Sequence, residues 1–469
     1  SRSSSMLSIA VVAARPYVRL GDFAQRLVAA LSALGPTSHL SRERAESVLG
    51  KHAVDAISAQ DGGYIRLSEW LADEEAAHRF AVYEADPRWS SWTDRAVGQA
   101  DRVLIVADTV SDPAPSEVEK RLEQRWAGGR APRRGLVLLH EDDSAEPTGT
   151  AVWLRQRSLD AHYHVTRDSD RDFARLARTL TGRAVGLVLS GGGARGFAHV
   201  GVLRALETAG VPIDMVGGTS IGAILGAACA LGLSSAELLA QSKRHFSSIF
   251  DPTLPLVSIL KGHRITSEVN TAFGHRDIED LRIPFFCVST NLTRAVELVH
   301  DRGSLANAVR ASLSLPGVLP PVSHGGDLLI DGGLLNNLPI DIMTRLSEGG
   351  PVIAVDVTPD VDLRAIADLT PELSGFKVLW RRINPFSPSL PVPYIISLLT
   401  RTTQVAGAVA DRKRVRVSET DLYLKIPVDD LKLLDFGPID EISNRGFDAS
   451  IDKVKDWWAE LGERARATA

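Results

Sequence analysis

The chain has 469 residues, 44% of them hydrophobic and 24% charged, proportions of an ordinary globular protein that exclude disordered, collagen-like and fibrous classes. At roughly 150 residues per domain the length predicts two or three domains, each able to bury a core. A formal charge of -5 leaves no nucleic-acid footprint, which needs a strongly basic domain, so any basic partner site has to be local. Two cysteines, Cys229 and Cys287, cannot build a disulfide framework, and no C-x-x-C or H-E-x-x-H spacing offers a zinc site. His140-Glu141 opens like a zinc-protease motif, but Ser144 stands where the second histidine belongs. A reducing, cytoplasmic setting without a metal is expected. The longest nearly apolar stretch, Ile221 to Leu233, falls short of the ~18 to 20 residues that cross a bilayer. Ser1-Arg2-Ser3-Ser4-Ser5 has neither an initiator Met nor the apolar stretch of a signal peptide. Residues 1–6 read as a linker or cloning scar, with sequence expected upstream.

In chain order, apolar runs at Leu7–Ala13, Arg79–Tyr83, Arg102–Ala107 and Gly135–His140 alternate with amphipathic stretches at Asp22–Leu34, Ser68–Ala77 and Ser116–Trp126. Runs that are apolar throughout and separated by helices predict buried parallel strands, hence a Rossmann-like α/β domain over residues 7–181. The loop after the first run, Ala14 to Asp22, lacks the G-x-x-x-x-G-K-[ST] phosphate cradle. Five of the eight tryptophans (Trp70, Trp89, Trp92, Trp126, Trp153) lie in this domain and are expected in its core or at a domain contact. The domain reads as a scaffold. A helix over Asp170–Leu180, capped by Asp168 or Ser169 and closed by Gly182, is expected to bridge to a second α/β set. That set predicts strand Val185–Leu189, helix Phe197–Ala209, strand Met215–Gly217, a small-residue helix from Ile221, and strands Phe285–Thr290, Leu328–Ile330 and Val352–Val357. No repeat period marks a solenoid.

Three motifs in the second set carry chemistry. Ser190-Gly191-Gly192-Gly193-Ala194-Arg195-Gly196, between a strand and a helix, satisfies G-x-G-x-x-G, a pattern that lets backbone approach an anion at a helix N-terminus. A dinucleotide site would also need a carboxylate at the end of the next strand. That strand ends instead in Gly217-Gly218-Thr219-Ser220. The hydroxyl belongs to Gly218-Thr219-Ser220-Ile221-Gly222, the G-x-S-x-G of a nucleophile elbow, whose tight turn needs Gly218 and Gly222 and leaves the serine exposed. A serine nucleophile needs a base. His245, His263, His275, His300 and His324 follow it, none in a catalytic context, and they read as loop or surface residues. Asp331-Gly332-Gly333, directly after an apolar strand, offers a carboxylate with little steric obstruction.

These three motifs, in this order, resemble the patatin-like phospholipase family, with further matches at His199-Val200-Gly201-Val202-Leu203, Ala311 to Gly317 and Asn336-Asn337-Leu338-Pro339. The resemblance implies a patatin-like α/β hydrolase domain over residues 182–469 with a mainly parallel central sheet. It also implies Ser220 as nucleophile, Asp331 as its base, and backbone N–H groups of Gly191, Gly192, Gly193, Ala194, Arg195 and Gly196 as the oxyanion hole, with Gly332 and Gly333 in support. The family often has Asp before its three glycines; Ser190 stands there in this chain. Arg195 reads either as a stabiliser of the loop or an anionic intermediate, or as a surface arginine. Ala30 to Thr37, Leu67 to Leu71, Gln99 to Val106 and Phe173 to Arg178 resemble the region before the catalytic domain in neuropathy target esterase and its bacterial relatives. Those relatives hydrolyse lysophospholipids and phospholipids, use no cofactor in doing so, and usually carry cyclic-nucleotide-binding domains upstream.

The resemblance therefore implies a serine esterase with a phospholipid or lysophospholipid substrate. A catalytically inactive lipid-binding scaffold and a dinucleotide-dependent oxidoreductase are the alternatives. Residues 375–417 hold Lys377, Arg381, Arg382, Arg401, Arg412, Lys413, Arg414 and Arg416 against Asp411 alone, a net +7, interleaved with Trp380, Phe386, Tyr394, Ile395, Ile396, Leu398 and Leu399. Such a mixture reads as a peripheral membrane contact or as a lid with a basic edge.

Overall fold

A computed structural model describes residues 6–56, 60–127, 131–246, 251–253, 257–359 and 420–467. The first sheet contains β1 (Leu7–Ala13), β2 (Thr37–Ser41), β3 (Phe80–Glu84), β4 (Arg102–Asp108), β5 (Arg133–His140) and β6 (Ala161–Thr166). They lie in the order β2-β3-β1-β4-β5-β6, every pairing parallel. Successive residues feed opposite faces: Ala10 and Val12 join one core, Ile9 and Val11 the other, which is why these strands are apolar throughout. The five tryptophans all pack in or against the first of those cores, so their place is the core of this domain. The helix after β1 is Leu20–Ser32, and Arg19 at its start supplies no side-chain cap.

Helix Asp170–Leu180 takes Ser169 as its cap and does reach the second sheet. Arg178 forks onto Asp214 at 2.8 and 2.7 Å, and Asp214 also accepts the Val185 N–H at 2.9 Å. Elsewhere the two sheets meet where the Glu279 carbonyl receives His162 Nε2 at 3.0 Å and His164 Nε2 at 2.9 Å. Because a carbonyl can only accept, His164 Nδ1 is left bare and takes the proton of His140 Nε2 at 2.9 Å. Burial lowers the pKa of all three, His140 to about 4, so this contact is sealed by neutral rings.

The second sheet contains β7 (Gly186–Leu189), β8 (Met215–Thr219), β9 (Phe285–Asn291), β10 (Val296–His300), β11 (Val322–His324), β12 (Asp327–Asp331), β13 (Val352–Asp356) and β14 (Leu422–Lys425). Its order is β11-β12-β9-β8-β7-β13-β14, with β10 also on β9. Strands β9, β8, β7, β13 and β14 run parallel, while β10, β11 and β12 pair antiparallel. The sheet is thus mainly parallel with an antiparallel flank. Helix Ala198–Thr208, preceded by a 3-10 turn over Gly193–Phe197, packs on the final helix Ile439–Ala467. There a Cβ on Gly201 would overlap Ser443 and one on Gly446 would overlap Ala198, so the two backbones touch directly. Among the described residues no helix is long and apolar enough to cross a membrane.

Candidate active site

The carboxyl ends of the parallel strands β7, β8 and β13 and of the antiparallel β12 deliver their loops to one place, the edge at which parallel sheets build their sites. At the end of β8, Ser220 has φ 57° and ψ −124°, a left-handed conformation that costs a non-glycine residue of order 1–3 kcal/mol. The turn is imposed by packing: a Cβ on Gly218 would overlap the Gly222 backbone, and one on Gly222 would overlap Leu189. The Ser220 N–H donates to Ser312 Oγ at 2.9 Å, and that hydroxyl donates to the Val288 carbonyl at 2.6 Å. Ser312 thus ties the elbow to the neighbouring strand β9.

Asp331 closes β12, opposite Ser289 of β9, and is 4% exposed. Burial raises its pKa to about 6, against the lowering effect of hydrogen bonds from the Ser220 side chain and the Gly333 N–H; the latter is 2.8 Å long. The serine and aspartate are therefore in contact, and the carboxyl is far closer to neutrality than its usual ~3.9. Gly332 is needed for the approach, since a Cβ there would overlap the Val288 carbonyl.

The glycine loop leaves β7 through Ser190, whose Oγ accepts the Val357 N–H at 2.9 Å. His199 Nε2 lies 2.9 Å from the Ser190 carbonyl. Asn337 clamps the next residue from both sides: its carbonyl accepts the Gly191 N–H at 3.2 Å, and its Nδ2 reaches the Gly191 carbonyl at 3.3 Å and Thr358 Oγ1 at 3.0 Å. On the other side a strap from β14 to the last helix crosses the loop. The Leu433 carbonyl takes the Ala194 N–H at 2.8 Å, and the Leu431 carbonyl takes Arg195 Nε at 2.9 Å. Gly193, at φ 59°, fits beneath Leu433 because it has no side chain.

The six-residue oxyanion expectation therefore narrows. Gly191 and Ala194 spend their N–H groups inside the fold, on the carbonyls of Asn337 and Leu433. Gly196 serves packing, a Cβ there overlapping Ile221. Arg195 lines the cavity with Gly191, Gly192, Gly193, Ser220, Asp331 and Gly333, beside Leu315, Leu334 and Leu433. A serine on a positive-φ turn, a buried carboxyl group in contact with it and a glycine-rich loop thus share one apolar-rimmed cavity.

The five histidines lie apart from that cavity. His300 departs from the surface expectation: it sits in β10, hydrogen-bonded to Ser289 Oγ at 2.7 Å, and burial lowers its pKa to about 4. Ser312, Asn337 and the Leu431–Leu433 strap are the site residues to which sequence reasoning assigned no role. Asn337 stood inside the quoted Asn-Asn-Leu-Pro phrase and Ser312 inside the quoted Ala311 to Gly317, while nothing local marks the strap. The basic segment 375–417 lies outside the described residues.

Comparison with known proteins matches residues 187–344 to the patatin-like phospholipase family and residues 5–170 to the neuropathy target esterase family P-loop like domain. Mouse patatin-like phospholipase domain-containing protein 7 is 38% identical over 98% of this chain and 36% of its own length. Human patatin-like phospholipase domain-containing protein 6 is 37% identical over 95% of this chain and 34% of its own. The lysophospholipase NTE1 of Mycosarcoma maydis is 34% identical over 97% of this chain and 27% of its own. The chain spans about a third of the length of the curated relatives it matches.

Proposed function

We propose, for a chain that carries both a patatin-like phospholipase domain and the P-loop like domain of the neuropathy target esterase family, hydrolysis of the carboxylic esters of lysophospholipids and phospholipids. The observation that carries this is the buried Asp331, its pKa raised to about 6 by burial while hydrogen-bonded with a positive-φ serine. A carboxylate so placed is a better base near neutrality than a solvated one. Ser220 Oγ attacks the acyl carbonyl and gives its proton to Asp331. The oxyanion that forms is held by the N–H groups of Gly192 and Gly193. On collapse the ester C–O bond breaks and Asp331 returns the proton to the departing alkoxide. Water, giving a proton to Asp331, then adds to the acyl carbonyl; the bond from that carbon to Ser220 Oγ breaks, Asp331 returns the proton to Oγ, and the carboxylic acid leaves. The domain boundary that suits this reading falls at Gly182, with residues 7–181 as scaffold.

Incubation with a fluorophosphonate is expected to stop lysophosphatidylcholine hydrolysis and to add one phosphonyl group to the peptide bearing Ser220. An adduct on any other residue, read by tandem mass spectrometry, would remove the assignment. A name on a relative supports the substrate class: the fungal relative is called a lysophospholipase. The net +7 and interleaved aromatic and aliphatic residues of 375–417 support a peripheral contact with an anionic, cytoplasm-facing lipid surface. The protein is expected to float with vesicles containing phosphatidylserine and to lose most of that binding when Arg412, Lys413, Arg414 and Arg416 are changed to Gln; equal flotation of the two would dismiss the contact.

A further inference from the structure

Asn337 is neither nucleophile nor base and lies outside the glycine loop, yet its side chain rests against the loops that carry the donors and the base. A Cβ on Gly191 would fall 2.5 Å from Asn337 Oδ1 and 3.2 Å from Ser220 Cβ, so Gly191 lies between that amide and the nucleophile. A Cβ on Gly333 would fall 2.9 Å from the same oxygen and 3.1 Å from Asp331 Oδ1. The amide nitrogen donates to the Gly191 carbonyl at 3.3 Å and to Thr358 Oγ1 at 3.0 Å. Because a carbonyl can only accept, the Gly191 contact fixes which end of the amide is nitrogen. Thr358 is anchored in turn just past β13. Its N–H donates to Asp356 at 2.7 Å, and its side chain also hydrogen-bonds to that carboxylate. The hydroxyl proton is spent there, which leaves the oxygen to receive Asn337 Nδ2.

We propose that Asn337 is a positioning residue that sets the aim of the oxyanion donors, an inference that rests on the esterase reading of Ser220. Two consecutive peptide units are gripped. The Ser190–Gly191 unit is held at its carbonyl by His199 Nε2 at 2.9 Å and at its N–H by the Asn337 carbonyl at 3.2 Å. The Gly191–Gly192 unit is held at its carbonyl by the Asn337 side chain. In a planar trans unit the carbonyl and the N–H point in opposite directions, so a grip on the Gly191 carbonyl aims the Gly192 N–H, one of the donors assigned to the oxyanion. The same amide packs on Gly333, two residues from the base, so one side chain spaces the donors from the Ser220–Asp331 pair. Fixed donors act on charge that develops in the transition state. Asn337 therefore governs rate, not the binding of the intact ester.

Asn337→Ala is expected to lower kcat for lysophosphatidylcholine by about 100-fold, the scale of one lost oxyanion donor, with KM within about two-fold of the parent. A trifluoromethyl ketone analogue, whose carbonyl carbon bonds to Ser220 Oγ and leaves an oxyanion in the same place, should lose affinity by the same factor. An ether-linked lysophospholipid, which has no carbonyl, should bind within about two-fold of the parent. Thr358→Val keeps the shape and removes the acceptor that steadies the amide; it should show the same pattern at about ten-fold, and Thr358→Ser should recover most of that loss. This pair keeps the test open if the Ala variant does not fold. Equal weakening of the ketone and the ether would make Asn337 a prop of the whole cavity and overturn the inference. So would folded variants whose kcat and ketone affinity stay within two-fold of the parent. A parent protein that neither hydrolyses lysophosphatidylcholine nor binds the ketone would instead overturn the esterase reading beneath it.

Discussion

Ser220→Ala is expected to reduce ester hydrolysis by about 10⁴-fold or more, the loss seen when a serine nucleophile is removed and only donors and binding remain. The fold should persist, because the anchoring contact of Ser220 runs through its backbone N–H to Ser312 Oγ, which alanine keeps. Alanine also inherits, without adding to it, the strain of φ 57°. What changes is the neighbour: Asp331 loses the hydroxyl that helps hold its pKa down, so the carboxyl should titrate still higher. Circular dichroism and thermal melting would establish the fold, and a lysophosphatidylcholine assay the rate. A folded variant that keeps near-parental turnover would falsify the assignment of Ser220.

Asp331→Asn should be nearly as damaging to rate and the opposite to stability. General base catalysis contributes about 10²- to 10⁴-fold, and an amide can accept a hydrogen bond from Ser220 without taking its proton. Burial lifts the Asp331 pKa from 3.8 to about 6. The folded state therefore binds this proton more tightly than the unfolded state, and the stability it lends is complete below about pH 4 and lost as pH rises through about 6. Near pH 7 the buried charge costs roughly 3 kcal/mol relative to an unshifted carboxyl. The Asn variant escapes that cost, so its thermal midpoint at pH 7 should equal or exceed the parent's, with the gap closing toward pH 4. In the parent, kcat/KM should rise with pH through a single ionisation near 6. An acid limb centred near 4, or a less stable Asn variant at pH 7, would show that the carboxyl is solvated and not the base described.

What could be read from the chain alone was decided by how local each signal is. The elbow, the glycine loop and Asp331-Gly332-Gly333 each complete their geometry within a few residues, so their spacing already carries the chemistry. The buried runs of β1, β4 and β5 were equally plain. Strand β2, Thr-Ser-His-Leu-Ser, and β6, Ala-His-Tyr-His-Val-Thr, escaped because they lie at the sheet's edges, where polar residues replace the apolar run that marks a central strand. Strand β10 escaped likewise, half exposed on the antiparallel flank. The roles of Ser312, which lies within the quoted Ala311 to Gly317, and of Leu433 were illegible for another reason. Each acts on a partner 92 or more positions away: Ser312 is one small hydroxyl, and Leu433 contributes its carbonyl, a group that every residue has. The same holds for the glycine loop: its sequence does not show that the Gly191 and Ala194 N–H groups are taken by the carbonyls of Asn337 and Leu433, partners that only the fold brings near.

The strap at Leu431–Leu433 and the backbone-to-backbone contact of Gly201 with the final helix have a consequence in the order of synthesis. The glycine loop is among the first parts of its domain to leave the ribosome, yet two of the groups that fix it and the helix that backs it are among the last. Such long sequence separations delay the native arrangement until the whole chain is available. Until then the surroundings of Ser220 are unfinished, and a chain lacking residues 431–467 would carry all three motifs of the cavity without the contacts that hold the glycine loop in register.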